Sequence, residues 1–272
     1  MLSKLKNALG KWQHTKSIHF MMIENFNDLL NYIERLKDEE NHSSNASYQA
    51  NRYMMNYLAM ARLFIDKVEE NIKQNFTIES KQYDKFKQLT SKEYDEKFSY
   101  RFLWDLRNYT QHYGLPIHHF QSSIDEYDNK EVTVSISPQV LIKGSYNWKP
   151  KMLSELREQQ EPINIIELIK EHIHSLENIY IYNLNCYSIE TMDYIERYIK
   201  FREDNQYKGS LFYFEFKNNK EYRKANIENY KTAKKLGHDI LVKEYLDELE
   251  KYGLLKVGIE SSDLINIDFP PQ

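Results

Sequence analysis

Met22, Phe26, Leu29, Ile33 and Leu36 fall three and four residues apart, and after a polar run the same spacing returns at Met54, Leu58, Ala61, Phe64 or Ile65, Val68 and Ile72. That period sets each group along one face of an α-helix. Two such stripes must be buried against each other or against further helices, which restricts the chain to a helical bundle or something built on one. The first helix is expected over about Trp12 to Glu40. Asn41-His42-Ser43-Ser44-Asn45-Ala46-Ser47 then breaks the pattern, because these side chains compete for backbone hydrogen bonds and can cap the next helix. That second helix, beginning near Tyr48, should lie antiparallel to the first, with Ala59 and Ala61 permitting close approach. Only 7 glycines and 6 prolines in 272 residues leave few places for a helix to stop.

Phe76 to Thr90 is lysine-rich and reads as a connector with a helical turn or two. Ser91, followed by Lys92, Glu93 and Tyr94, has the form of a cap for a third long helix running to about Tyr113. Gly114 suits a left-handed position after its last turn, and Pro116 cannot continue it. Residues 124–129 form an acidic loop. Val132, Val134 and Ile136 then alternate as a strand does, with Val140-Leu141-Ile142 as a candidate hairpin partner. A loop around Trp148 leads to helices over about 151–159, 163–180 and 187–203. An aromatic strand over 211–216 and helices over 220–236 and 239–252 come next, and the Pro270-Pro271 tail should fray. The expected fold class is mainly α: an antiparallel helical bundle over residues 12–120, with a smaller α+β region over 121–272 packed on it or completing it.

The third helix carries the chemistry. Phe98, Phe102, Leu106, Tyr109 and Tyr113 lie within roughly 80° on a wheel and form its core face. Beside them Arg101, Asp105, Asn108 and His112 stack along one polar edge, which should face a cleft or a partner. Arg107 points about 140° away from His112 on an ideal helix, so either its long side chain reaches round, the terminal turn distorts, or a partner's copy supplies the convergence. A guanidinium binds phosphate oxygens in bidentate fashion and an imidazole moves protons near neutral pH. Arg35 to His42 repeats the loose Arg-to-His spacing in an acidic, polar stretch and is a chance match.

Competing candidates have blander explanations. His118-His119 lack a nearby acidic or cysteine partner for a metal. His172 and His174, two apart on a helix, point in different directions. Lys231, Lys234 and Lys235 read as a solvated helix face, and Tyr180, Tyr182 and Tyr187 as packing residues. The lone Cys186 forms no internal disulfide and suits a reducing compartment. Without a secretory or membrane-spanning run, the expected location is the cytoplasm. A net charge of −4 excludes a globally basic coat for duplex nucleic acid but leaves room for a local basic groove.

Tyr100-Arg101-Phe102-Leu103-Trp104-Asp105-Leu106-Arg107-Asn108-Tyr109-Thr110-Gln111-His112 resembles the signature helix of HEPN-domain proteins: Arg, a polar residue, then His after four to six intervening residues. Two long antiparallel helices before a motif helix also resemble that family's bundle, over about residues 12–120. The resemblance implies an endoribonuclease that needs no metal or other cofactor, acting in toxin or antiviral defence systems. Its active site would form where two copies meet through their motif helices. Arg107 would contact the scissile phosphate, Asn108 would position groups, and His112 would transfer protons. Asp105, Gln111 and Arg101 would support them, with Asp105 orienting His112 or the second copy's arginine. An antitoxin or regulatory protein is a further expected partner. HEPN toxins modified on a tyrosine two residues after the histidine have Gly114 as their counterpart here, so that modification is not expected. The alternative implied is an inactive HEPN-like module that dimerises or senses a protein, nucleotide or nucleic acid.

Overall fold

The computed structural model describes residues 2–38, 45–124, 130–206, 211–213, 234–236 and 238–255. Helix α1 runs from Leu2 to Asp38, ten residues further upstream than its stripe predicted, because Leu5, Leu9 and Trp12 continue the buried face. Helix α2 spans Asn45–Phe76 and buries all the expected stripe residues. Contacts divide the chain into two compact units, residues 1–13 with 184–272 and residues 14–183. The boundary expected near residue 120 falls inside the second.

In the unit of residues 14–183, the pairings between α1 and α2 run in opposite senses along the chain. Thr15 meets Asn71, His19 meets Phe64, Phe26 meets Tyr57 and Tyr32 meets Tyr53. The two helices are therefore antiparallel. The expected connector is instead a full helix, α3 (Lys81–Glu96), started by Ser80, whose Oγ accepts from the Tyr83 amide at 3.1 Å. Its apolar stripe is thin: Phe86 is buried and Tyr83 half-buried, so periodicity gave little warning. Ser91 lies inside α3 and caps nothing. The break comes at Lys97, in extended conformation, and the motif helix α4 covers Phe98–His112.

Beyond α4 the chain builds a small antiparallel sheet, in the order β1 (His119–Ile124), β2 (Lys130–Ile136) and β3 (Ile163–Asn164). Strand β2 is the one its alternation predicted, but its hairpin partner is β1, with Phe120 opposite Val134. Val140-Leu141-Ile142 belongs to a short helix, α5 (Pro138–Lys143), because Ser137 caps the Val140 amide and Pro138 occupies the first turn. Helix α6 (Pro150–Glu158) comes next, as expected.

Residues 163–180 and 187–203, expected as two helices, belong to β3 and one continuous α7, Ile165–Asp204. No glycine or proline interrupts them, and buried Tyr182 and Leu184 carry the apolar face through the intervening residues. In the same unit as α1–α6, His172 and Tyr180 of α7 pack against Tyr57, Tyr100, Phe64 and His19.

In the other unit, Trp12 meets Tyr245 edge-on at 5.1 Å, among buried Leu9, Ile195, Tyr198 and Leu249. Strand β4 (Leu211–Tyr213) pairs with β5 (Lys234–Leu236), so Lys234 and Lys235 lie on a strand rather than on the expected helix. Lys231, residues 214–216, the rest of that predicted helix and the proline tail lie outside the described residues. Helix α8 (His238–Lys251) closes this unit close to its predicted span. Among the described residues, no helix is long and apolar enough to cross a membrane.

Candidate functional site

The start of α4 is fixed by Arg101. Its Nη1 donates to the carbonyls of Tyr94, Asp95 and Lys97, closing the C-terminal end of α3, whose last carbonyls have no partner within the helix. Nε and Nη2 grip the carboxylate of Glu155 on α6. At 4% exposure Arg101, expected as a supporting residue, is a buried tie between α3, α4 and α6.

One turn on, Asp105 is also buried, with Oδ1 3.5 Å from the ammonium of Lys149. Lys149 in turn donates to the Tyr94 hydroxyl at 2.8 Å. Burial raises the Asp105 carboxyl above the usual carboxylate range, while Lys149 and Arg101 oppose that rise. Burial pulls the Lys149 ammonium down, but Tyr94 and Asp105 outweigh it and leave it above its ordinary value. Asp105 thus answers Lys149 and does not orient His112. Asn108 touches the Tyr146 hydroxyl, whose pKa burial raises. The polar edge expected to face a cleft or a partner is therefore covered from Arg101 to Asn108 by the chain's own residues 146–155. Nothing in the sequence marked Tyr146, Lys149 or Glu155, because a cover folded back from some forty residues downstream leaves no local pattern.

The segment beyond that cover remains accessible. Arg107 is half-buried, and its Nη1 donates to Oε1 of Gln111 at 2.7 Å and to Oδ1 of Asn108 at 3.3 Å. Its Nε is buried without a hydrogen-bond partner. None of the described carboxylates pairs with it, and the neutral amides of Asn108 and Gln111 steer the guanidinium. Gln111 and His112 are exposed on the last turn, and the His112 ring meets Tyr113 edge-on at 6.5 Å. The structure thus brings Arg107, Asn108 and Gln111 together, places His112 at the adjoining helix end, and removes Arg101 and Asp105 to the interior.

The helix ends through close packing. Gly114 does not adopt the expected left-handed conformation; a Cβ there would lie 2.7 Å from the hydroxyl of Tyr109. The glycine is needed because Tyr109 folds back over it. Tyr113, expected in the core face, is 49% exposed because the helix stops beside it.

Two other histidines, His118 and His172, are held by local partners. His118 accepts from the Ser137 amide through Nδ1 at 3.1 Å, and burial lowers its pKa. His172 is buried with Nδ1 2.8 Å from the Tyr57 hydroxyl, and burial lowers its pKa to about 3. Among the described residues no group of three or more His, Cys, Asp or Glu could hold a metal ion. No protein-family model, curated protein or solved structure matches the chain.

Proposed function

We propose that the protein is a metal-independent endoribonuclease of HEPN type with a toxin or antiviral defence role, whose site is completed by a second copy of the chain. The observation that carries this reading is the cluster on the last turn and a half of α4: an uncompensated guanidinium held by Asn108 and Gln111, next to an exposed imidazole. In such a site the RNA 2′-hydroxyl attacks the adjacent phosphorus. One His112 removes the hydroxyl proton, and the second copy's His112 protonates the departing 5′-oxygen. The products are a 2′,3′-cyclic phosphate and a free 5′-hydroxyl. Arg107 binds the non-bridging oxygens as negative charge builds on them. Side chains supply both the charge stabilisation and the proton transfers.

The covering of Arg101, Asp105 and Asn108 favours a second reading, an inactive HEPN-like module that dimerises or senses a ligand, because it narrows the face left for catalysis. Incubating structured RNA with the protein in EDTA, beside a His112→Ala variant, separates the two. The nuclease reading expects cleavage by the wild type and none by the variant. Equal cleavage by both, or an intact substrate with the wild type, favours the module.

A further inference from the structure

Helices α2 and α4 are antiparallel neighbours, and their register is fixed by two contacts. The Arg62 guanidinium lies 3.8 Å from the centre of the Trp104 ring, and Asn51 exchanges hydrogen bonds with the backbone of Ile117 beyond the end of α4. From the Arg62–Trp104 crossing, equal helical rise along both axes puts Arg107 at the level of Ala59 and Gln111 at the level of Met55. The outer face of α2 therefore leads to the candidate site. Tyr48, Arg52, Met55, Ala59 and Arg62 succeed one another at intervals of four, three, four and three, forming one stripe about 21 Å long. Tyr48 is 64% exposed, and the Arg52 guanidinium lies over the Tyr53 ring at 4.8 Å.

The charge along this stripe runs against that of the chain as a whole. The net charge is −4, yet residues 45–65 contain two arginines and no carboxylate. Asp66, which pairs with Arg62 at 2.9 Å, is the first acid reached, at the end furthest from Gln111 and His112. The one acid of α4, Asp105, is buried against Lys149. Arg52 and Arg107 thus carry the cations of this stripe that no described carboxylate answers, Arg62 is shared between Asp66 and the Trp104 ring, and Tyr48 offers an exposed ring.

We propose that this stripe is a track for single-stranded RNA, which holds the strand along α2 and delivers its backbone to Arg107 and His112. The proposal rests on the ribonuclease reading of that site. Arginines spaced along a surface neutralise phosphates of a strand, and an exposed ring such as that of Tyr48 offers a stacking surface to any base. A duplex hides its base faces, and the side chains of an acidic peptide have no aromatic faces to stack on the rings.

The test is fluorescence anisotropy with a 2′-O-methyl single strand of twelve nucleotides, which lacks the attacking hydroxyl and stays intact. Arg52→Ala should flatten the salt dependence by about 0.7 in the log–log slope, or roughly fivefold in affinity at 0.1 M salt, and Arg62→Ala, whose cation Asp66 already answers, by less. Tyr48→Ala should weaken binding by roughly tenfold with the slope unchanged. Arg197→Ala, at an exposed position of α7, should match the wild type. Unchanged affinity and slope in the Arg52→Ala/Arg62→Ala double variant would overturn the track, and so would equally tight binding of the matching duplex. Effective displacement by polyglutamate would overturn it in favour of a protein partner. Loss of track binding in the variants, with no cleavage of ordinary RNA by the wild type, would refute the nuclease reading and support the track. Cleavage with unaltered double-variant binding would refute the track alone.

Discussion

Nη1 of Arg107 donates to Oε1 of Gln111 at 2.7 Å, one turn further along α4. The bond ties a charged group to a neutral one, so it fixes where the guanidinium points without placing a carboxylate against it. Gln111→Ala should lower the single-turnover cleavage rate on the order of tenfold through lost positioning, with little change in KM. Gln111→Glu should lower it further, because a carboxylate would compete with phosphate for the same nitrogen. The Gln111 side chain is exposed, so unfolding free energies should stay within about 0.5 kcal/mol of wild type. A stability loss matching the rate loss would mean that Gln111 merely maintains the helix.

Glu155 satisfies the buried guanidinium of Arg101, and removing it leaves that charge inside the fold. Glu155→Ala should cost on the order of 3 kcal/mol in urea unfolding. Replacing Arg101 with Met in the same variant should recover part of that loss. The α3 carbonyls would still lack their donor, so recovery should be incomplete.

Gly114 and Tyr109 should behave as a coupled pair. Gly114→Ala drives a methyl group against the Tyr109 hydroxyl and should cost about 1–3 kcal/mol. Tyr109→Phe removes the clashing atom, so the double variant should be more stable than Gly114→Ala alone. A double-mutant cycle measured by thermal or urea unfolding checks this, and additivity would refute the contact.

His172 sets an acid limit on stability. Its folded value of about 3 lies below the ordinary histidine value of about 6.5. Between those values the unfolded chain takes up a proton that the folded chain refuses. Stability is therefore full above about pH 6.5 and declines by about 1.4 kcal/mol per unit as pH falls towards 3. Asp105, raised by burial, contributes the opposite slope just above the usual carboxylate range. His172→Gln should remove the histidine slope, as read from urea midpoints across this range. An unchanged slope in that variant would count against the assignment.

The long helices were legible because burial repeats along them: Met22 to Leu36 and Met54 to Ile72 are buried as their spacing predicted. Helix α3 was obscured by its lysines and glutamines, since one buried phenylalanine makes no stripe. The break at Lys97 was hidden because its cause, Arg101 reaching back to Tyr94 and Asp95, is a tertiary contact. Strand β1 leaves nearly all its side chains exposed and so lacks alternation. In the candidate site, Arg107, Asn108 and His112 could be picked out by residue type and spacing. The fate of Arg101 and Asp105 could not, because a wheel shows which residues share an edge and not what later sequence folds over it.

Arg101 closing α3 and Tyr109 folded over Gly114 also bear on how far the motif can be moved. Helix α4 has 15 residues, about the length at which an isolated helix is marginal in water. Cut out as a peptide or grafted onto another scaffold, Phe98–His112 would carry its letters but lose both its anchored start and its packed end. The portable module is the corner from α3 through Gly114 together with the residues 146–155 that cover it, and a search for kin by the six-residue motif alone would discard the parts that give the motif its shape.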